Sequence, residues 1–226
     1  MTFLYVVGTP IGNLEDITLR ALRVLKEVDI ILCEDTRVTR KLLQKYEIKT
    51  PLGSYHAHST PSKVKKIIGS LESGKNMALV SDAGTPGISD PGAWLISEIR
   101  KALPEVKIIP IPGPSALISA LSVSGFPADD FIFFGFLPHK KGREKRFKEI
   151  AESKKTTVFY ESTHRLLKTL EKLSRELSKE RKIGVFGEIT KFYEKIIYGS
   201  AEETLEYFKN TKDATKGEFV IIVEGA

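Results

Sequence analysis

The loop at residues 81–92, SDAGTPGISDPG, has the clearest chemical potential in this chain. It holds three glycines, two prolines and two carboxylates, between an apolar run at 77–80 and a helical pattern at 93–103. A strand-to-helix connection normally needs only two to six residues. A longer, stiff loop rich in glycine brings bare backbone up to a ligand at the carboxyl end of a strand. The sequence therefore predicts a binding site here.

A second set of reactive side chains follows another apolar run. Glu34 and Asp35 stand where a buried strand should end, and Arg37 comes directly after them. A carboxylate in this place could accept a proton, and the guanidinium could keep it ionised or bind a phosphate. The same residues could equally form a structural ion pair. His56 and His58 are further candidates for a general base, although histidines on a polar loop are more often solvated.

A basic segment at residues 139–148, HKKGREKRFK, carries six cationic side chains against one glutamate. The whole chain has a net charge of +6 and a pI near 9.2, which favours a polyanionic partner. A charge run is often only a solvated helix face, but this density indicates phosphate binding. The candidate side chains are Lys140, Lys141, Arg143, Lys145 and Arg146.

Strand-like and helix-like segments alternate through nearly all of the chain, and they would position these groups. In the first half the strands are continuous apolar runs separated by helices, which predicts a parallel sheet covered on both faces. Hairpin-like spacing near residues 188–193 predicts a mixed sheet in the second half. Residues 112–114, PGP, are the best candidate hinge. We therefore expect an α/β protein with two α/β subdomains, residues 1–113 and 114–226.

Composition narrows the class of protein. The chain has 226 residues, of which 41% are hydrophobic and 28% charged, values typical of a globular protein. No apolar run reaches the ~20 residues of a membrane span, and the N-terminus does not read as a signal peptide. Cys33, the one cysteine, excludes an internal disulfide and fits a cytoplasmic location. Its place in an apolar run predicts a buried thiol.

Several segments together resemble the tetrapyrrole methylase superfamily of S-adenosylmethionine-dependent enzymes, and within it the branch that methylates small-subunit ribosomal RNA. The matching segments are GTPIGNL (8–14), CEDTR (33–37), the whole loop at 81–92, PGPSA (112–116), YES with HR (160–165) and GEFV (217–220). They run in family order from one end of the chain to the other. One departure is Gly187, where relatives usually carry arginine, so any role assigned there is in doubt.

The resemblance implies that S-adenosylmethionine is bound in a cleft between the two subdomains. The contacts it carries onto this chain are Pro10, Asp82, Ala83, Gly84, Thr85, Ile88, Ser115, Ala116, Tyr160 and Glu161. Ser115, placed before a helix, could offer its hydroxyl and free N–H groups to a carboxylate, or could serve only as a helix cap.

The same resemblance implies methylation of the ribose 2′-hydroxyl of a cytidine in 16S rRNA by a homodimer. We expect no metal, because the histidines form no metal-ligand pattern with cysteines or carboxylates. Glu34, Asp35 and Arg37 would then form the catalytic, substrate end of the cleft, and the basic segment would bind RNA. Two alternatives stay open: a tetrapyrrole methyltransferase of the cobalamin pathway, and a non-catalytic RNA-binding module that kept the fold.

Overall fold

A computed structural model describes all residues from Met1 to Ala226. The chain divides into two compact units, unit 1 at Met1–Ser115 and unit 2 at Ala116–Ala226. Each unit contains one five-stranded sheet with helices packed against it.

Unit 1 is built on a parallel sheet. Its strands, in chain order, are β1 (Phe3–Val7), β2 (Ile30–Cys33), β3 (Leu52–Ser54), β4 (Met77–Leu79) and β5 (Lys107–Ile111). Their order in the sheet is β3-β2-β4-β1-β5, and every neighbouring pair runs parallel. The strand order changes direction about β1 and β4, so the loops after these strands diverge and leave room for a ligand at the carboxyl edge.

Helices cover both faces of this sheet. They are α1 (Leu19–Glu27), α2 (Thr36–Lys45), α3 (Pro61–Glu72) and α4 (Ala93–Ala102), with a short 3₁₀ helix at Leu14–Asp16. One core, on the side of α1 and α2, contains Leu25 and Leu42; the other, on the side of α3 and α4, contains Leu71 and Leu95. Parallel strands buried on both faces explain the continuous apolar runs of the sequence.

Unit 2 has a mixed sheet. Its elements are α5 (Ala116–Ser124), β6 (Phe131–Phe136), α6 (Arg143–Glu152), β7 (Thr156–Ser162), α7 (Leu166–Glu176), β8 (Lys182–Gly187), β9 (Lys195–Ser200), α8 (Ala201–Asn210) and β10 (Glu218–Val223). The strand order is β6-β7-β10-β8-β9. The β6–β7 pair is parallel, and the other three pairs are antiparallel. The carboxyl ends of β6, β7 and β8 therefore meet at one edge of the sheet.

The α/β class and the mixed second sheet are confirmed, and Cys33 is fully buried as predicted. The sequence does not predict strand β3, because its three residues include Gly53 and contain no apolar run. No helix is long and apolar enough to cross a membrane.

Candidate functional site

The loops after β1 and β4 are joined into one structure at the carboxyl edge of unit 1. Thr9 and Gly84 exchange two backbone hydrogen bonds, with N···O distances of 2.9 and 3.0 Å. The Thr9 hydroxyl also donates to the carbonyl oxygen of Ser81 at 3.1 Å. The Ser81 hydroxyl in turn donates to the carbonyl of Gly84 at 3.2 Å. The predicted ligand loop is therefore held against the first strand by its own backbone.

Glycine is required where β1 and β5 end. A Cβ atom on Gly8 would lie 2.8 Å from the Cα of Gly113 and 2.9 Å from its nitrogen, closer than real Cβ atoms approach. Gly84 has a φ of +80°, a conformation that side chains with a Cβ rarely adopt. These glycines let three loops, at 8–14, 81–92 and 112–114, approach one another closely at one edge of the sheet.

The carboxylates of Glu34, Asp82 and Asp90 lie close together near the ends of β2 and β4. Asp82 accepts a hydrogen bond from the backbone N–H of Asp35 at 3.0 Å, which ties its loop to the start of α2. Partial burial raises the pKa of Asp90 to about 6, and repulsion from Glu34 and Asp82 adds to this effect. The pKa of Glu34 is also raised, by burial and by Asp82. Asp90 can thus take up a proton at mildly acidic pH, and the raised pKa of Glu34 makes this group a stronger proton acceptor than an ordinary carboxylate.

Asp35 has a different environment from Glu34. Its carboxylate caps α2 by accepting from the backbone N–H of Arg37 at 2.8 Å. It also pairs with the guanidinium of Arg37, at 2.6 Å between Oδ2 and Nη2. These hydrogen bonds lower the pKa of Asp35 to about 2, so it remains ionised and is a weak base at neutral pH. Arg37 is otherwise exposed and can bind an anion.

A cavity of about 180 Å³ lies beside these groups in unit 1. Its walls are formed by Thr9, Pro10, Leu14, Val38, Thr39, Lys41, Leu42, Ser81 and Asp82. Two of the predicted cofactor contacts, Pro10 and Asp82, line it together with one face of α2. This volume is smaller than a typical small-molecule pocket, so the cavity can hold only part of a ligand.

In unit 2, Glu161 is the centre of a buried ion-pair network. Its carboxylate accepts from Arg165 Nε at 2.6 Å, from Thr169 Oγ1 at 2.5 Å and from Arg143 Nη2 at 3.3 Å. The Glu161 side chain is completely buried, and the two arginines are about 15% exposed. This network gives Glu161 and Arg143 a structural role besides the ligand roles predicted for them. Tyr160 lies next to it, edge-on to Phe133 with ring centroids 5.1 Å apart.

The rest of the basic segment is exposed. Lys140 and Lys141 precede α6 and form no ion pair, so both charges are free for an anion. Lys145 and Arg146 are exposed on α6, where both pair with Glu149 at 3.9 and 2.5 Å. A cationic surface therefore remains, without the guanidinium of Arg143.

The structure groups the predicted residues by unit. Those at the edge of unit 1 are Pro10, Glu34, Asp35, Arg37, Asp82, Ala83, Gly84, Thr85, Ile88 and Ser115, and those in unit 2 are Ala116, Tyr160, Glu161 and the basic segment. Asp90 is a candidate proton acceptor that the sequence does not single out, although it is one of the two carboxylates of the loop at 81–92. Only the fold shows that Asp90 lies near Glu34, 56 positions earlier in the chain.

Comparison with known proteins gives one family and close relatives. The family model for tetrapyrrole (corrin/porphyrin) methylases matches residues 3–205. The chain is 45% identical, over 100% of its length and 80% of the relative's, to a ribosomal RNA small subunit methyltransferase I from Synechocystis. It is 46% identical, over 98% of both chains, to a protein of the same name from Thermotoga maritima.

Solved structures give the same fold at lower identity. A cobalt precorrin-4 methyltransferase matches with a TM-score of 0.68 at 18% identity, covering 98% of this chain and 94% of its own. A uroporphyrin-III-C-methyltransferase from Thermus thermophilus matches with a TM-score of 0.65 at 20% identity, with the same coverage. At these identities the likeness concerns the fold alone.

Proposed function

The chain belongs to the tetrapyrrole methylase family, and from this premise we propose that it transfers a methyl group from S-adenosylmethionine to the ribose 2′-hydroxyl of a cytidine in 16S rRNA. The observation that carries the proposal is the identity of about 45% to ribosomal RNA small subunit methyltransferases over nearly the whole chain. The chain is a methyltransferase, because both the family and these relatives are. The cytidine and the ribose oxygen come from the resemblance of its motifs.

The edge of unit 1 is suited to the cofactor. The glycine-rich loops offer backbone groups, and the Asp82 carboxylate suits the ammonium group of the amino acid moiety. The cofactor, when bound, supplies an activated methyl group for in-line displacement. The proposed contacts in unit 1 are Pro10, Asp82, Ala83, Gly84, Thr85, Ile88 and Ser115. Ala116, Tyr160 and Glu161 of unit 2 are added on the resemblance alone.

The carboxylates Glu34, Asp90 and Asp35 have different roles in the rest of the proposed reaction. The attacking hydroxyl must be aligned and must lose its proton. Glu34 and Asp90 are better acceptors for this proton than Asp35, because their pKa values are raised and that of Asp35 is lowered. We assign Asp35 to hold Arg37, and Arg37 to bind a phosphate of the substrate.

The exposed cations of the basic segment would position the RNA. Lys140, Lys141, Lys145 and Arg146 can contact phosphates, which fixes orientation without reading sequence. Arg143 pairs with the buried Glu161, so its guanidinium is less available to the RNA than these four cations. A homodimer follows from the resemblance and a cytoplasmic location from the single cysteine, and both stay predictions.

Transfer of a labelled methyl group tests the proposal. Small ribosomal subunits from a strain that lacks the gene, and separately a precorrin, are incubated with the protein and labelled S-adenosylmethionine. We expect label in the RNA only. Label in the precorrin only would instead support a cobalamin-pathway enzyme. Failure of the cofactor to bind in calorimetry would leave a non-catalytic RNA-binding module.

A further inference from the structure

The connection between β8 and β9 presents two aromatic rings to solvent. Phe192 is 93% exposed and Tyr193 is 73% exposed, the highest values among the large aromatic side chains. Their rings meet edge to face, with centroids 5.0 Å apart and planes at 86°. Exposing such rings costs solvation free energy, and the reaction groups described above do not use them.

This connection is held in one conformation by a dense set of hydrogen bonds. The backbone N–H of Lys191 donates to the carbonyl of Glu188 at 2.9 Å, and that of Glu194 donates to the carbonyl of Lys191 at 3.0 Å. The Glu194 carboxylate accepts from the N–H of Thr190 at 2.6 Å. The Lys191 ammonium bridges Glu188 and Glu218, at 2.9 and 3.0 Å. The backbone that carries the two rings is therefore preorganised.

The aromatic pair lies at the same edge of the unit 2 sheet as the basic segment. Strand register places the end of β6 beside β7, then β10, then β8, with β9 outermost. Phe136 ends β6 three residues before His139, and Gly187 ends β8 five residues before Phe192. At about 4.8 Å for each strand spacing, the ends of β6 and β8 are about 14 Å apart. A stacked nucleic-acid strand at about 3.4 Å per nucleotide covers this distance with about four nucleotides.

We propose that Phe192 and Tyr193 form a stacking platform for unpaired bases of the RNA whose phosphates bind at Lys140 and Lys141. This inference rests on the proposed RNA substrate and names a second contact with it. A base has a flat face that matches a single ring, and stacking on aromatic side chains tolerates any base. Two aromatic side chains bury about 300–500 Å² together, well below the ~1,200 Å² of a specific protein interface. The size of the patch thus fits a base better than a second copy of the chain.

A short RNA with a fluorescent base tests the platform. The full chain is titrated into an unstructured eight-nucleotide RNA that contains 2-aminopurine, with wild type compared to the double variant Phe192→Leu, Tyr193→Leu. Leucine keeps the apolar character and removes the ring faces. We expect quenching of 2-aminopurine by wild type, and binding to the double variant that is at least about fivefold weaker with no change in salt slope. The matched control is Leu19→Ala, which removes another exposed apolar side chain, 86% exposed and in unit 1, and should bind like wild type.

Two results would overturn the platform. One is affinity of the double variant within twofold of wild type. The other is a wild-type dimer in sedimentation velocity that the double substitution dissociates without weakening RNA binding by each protomer, which would assign the rings to a second copy. Methyl transfer by wild type is measured separately. If wild type methylates RNA and the double variant binds RNA equally well, only the platform fails. If wild type methylates no RNA, the proposed function fails.

Discussion

Removing the carboxylate of Glu161 should strongly destabilise unit 2. The group is completely buried between Arg143 and Arg165, and it accepts four hydrogen bonds, the fourth from the N–H of Ser162 at 2.9 Å. Alanine would leave two guanidinium groups facing each other without a counter-charge. Breaking a buried ion pair by removing one partner costs about 3–5 kcal/mol. At about 2–4 °C per kcal/mol for a chain of this size, Glu161→Ala should lower the Tm by about 6–20 °C.

Calorimetric melting of Glu161→Ala, Glu161→Gln and Glu149→Ala measures this effect. Glu149 is the control because it also pairs with two cations but lies at the surface, where a pair contributes about 0.2–1 kcal/mol. The glutamine variant keeps the shape and loses the charge, so it should also destabilise. A Tm of Glu161→Ala within about 2 °C of wild type would refute the structural role. Unchanged melting together with weaker cofactor binding would assign Glu161 to the ligand instead.

Three further outcomes follow from the site. Gly8→Ala should reduce the rate of methyl transfer by about a hundredfold, because the added Cβ would clash with Gly113 and displace the cofactor loops. The control is Gly69→Ala, whose added Cβ lies in open space on α3 and should leave the rate unchanged. Because the folded state raises the pKa of Asp90 to about 6, folding takes up a proton between pH 4 and 6, so stability should fall as pH rises through this window. In urea unfolding, Asp90→Asn should remove this dependence of the unfolding free energy on pH and raise stability above pH 6. The same variant should lower the rate of methyl transfer. An unaltered pH dependence would contradict the raised pKa of Asp90. Alanine at four cations of the basic segment should weaken RNA binding and reduce the slope of log K against log salt concentration by about three units. A filter-binding titration measures this slope, and an unchanged slope would mean that the RNA binds elsewhere. These cations are Lys140, Lys141, Lys145 and Arg146.

The sequence predicts the sheets of this protein better than its side-chain partners. Continuous apolar runs identify β1, β2 and β4 as strands buried on both faces, since this pattern depends only on neighbouring residues. The strand β3 is short and contains Gly53, so its apolar pattern is too weak to detect. Its place in the sheet depends on pairing with β2, which lies about 20 residues earlier.

Roles that depend on distant partners could not be predicted in this way. Arg143 is one of six cations in a run, and nothing local distinguishes it from Lys141. Its pairing with Glu161, 18 positions later, exists only because α6 and β7 pack together. Asp90 gains its raised pKa in the same way, from burial beside Glu34 and Asp82.

The position of the transferred methyl group distinguishes ribose methylation of RNA from every other reaction considered for this protein. Small ribosomal subunits without the modification are methylated with labelled S-adenosylmethionine, and the RNA is digested and mapped by mass spectrometry. We predict label on the ribose of one cytidine of 16S rRNA, with resistance of the adjacent phosphodiester bond to alkali. Label on a base, or label that reaches only a tetrapyrrole, would show that the protein is not a ribose methyltransferase of RNA.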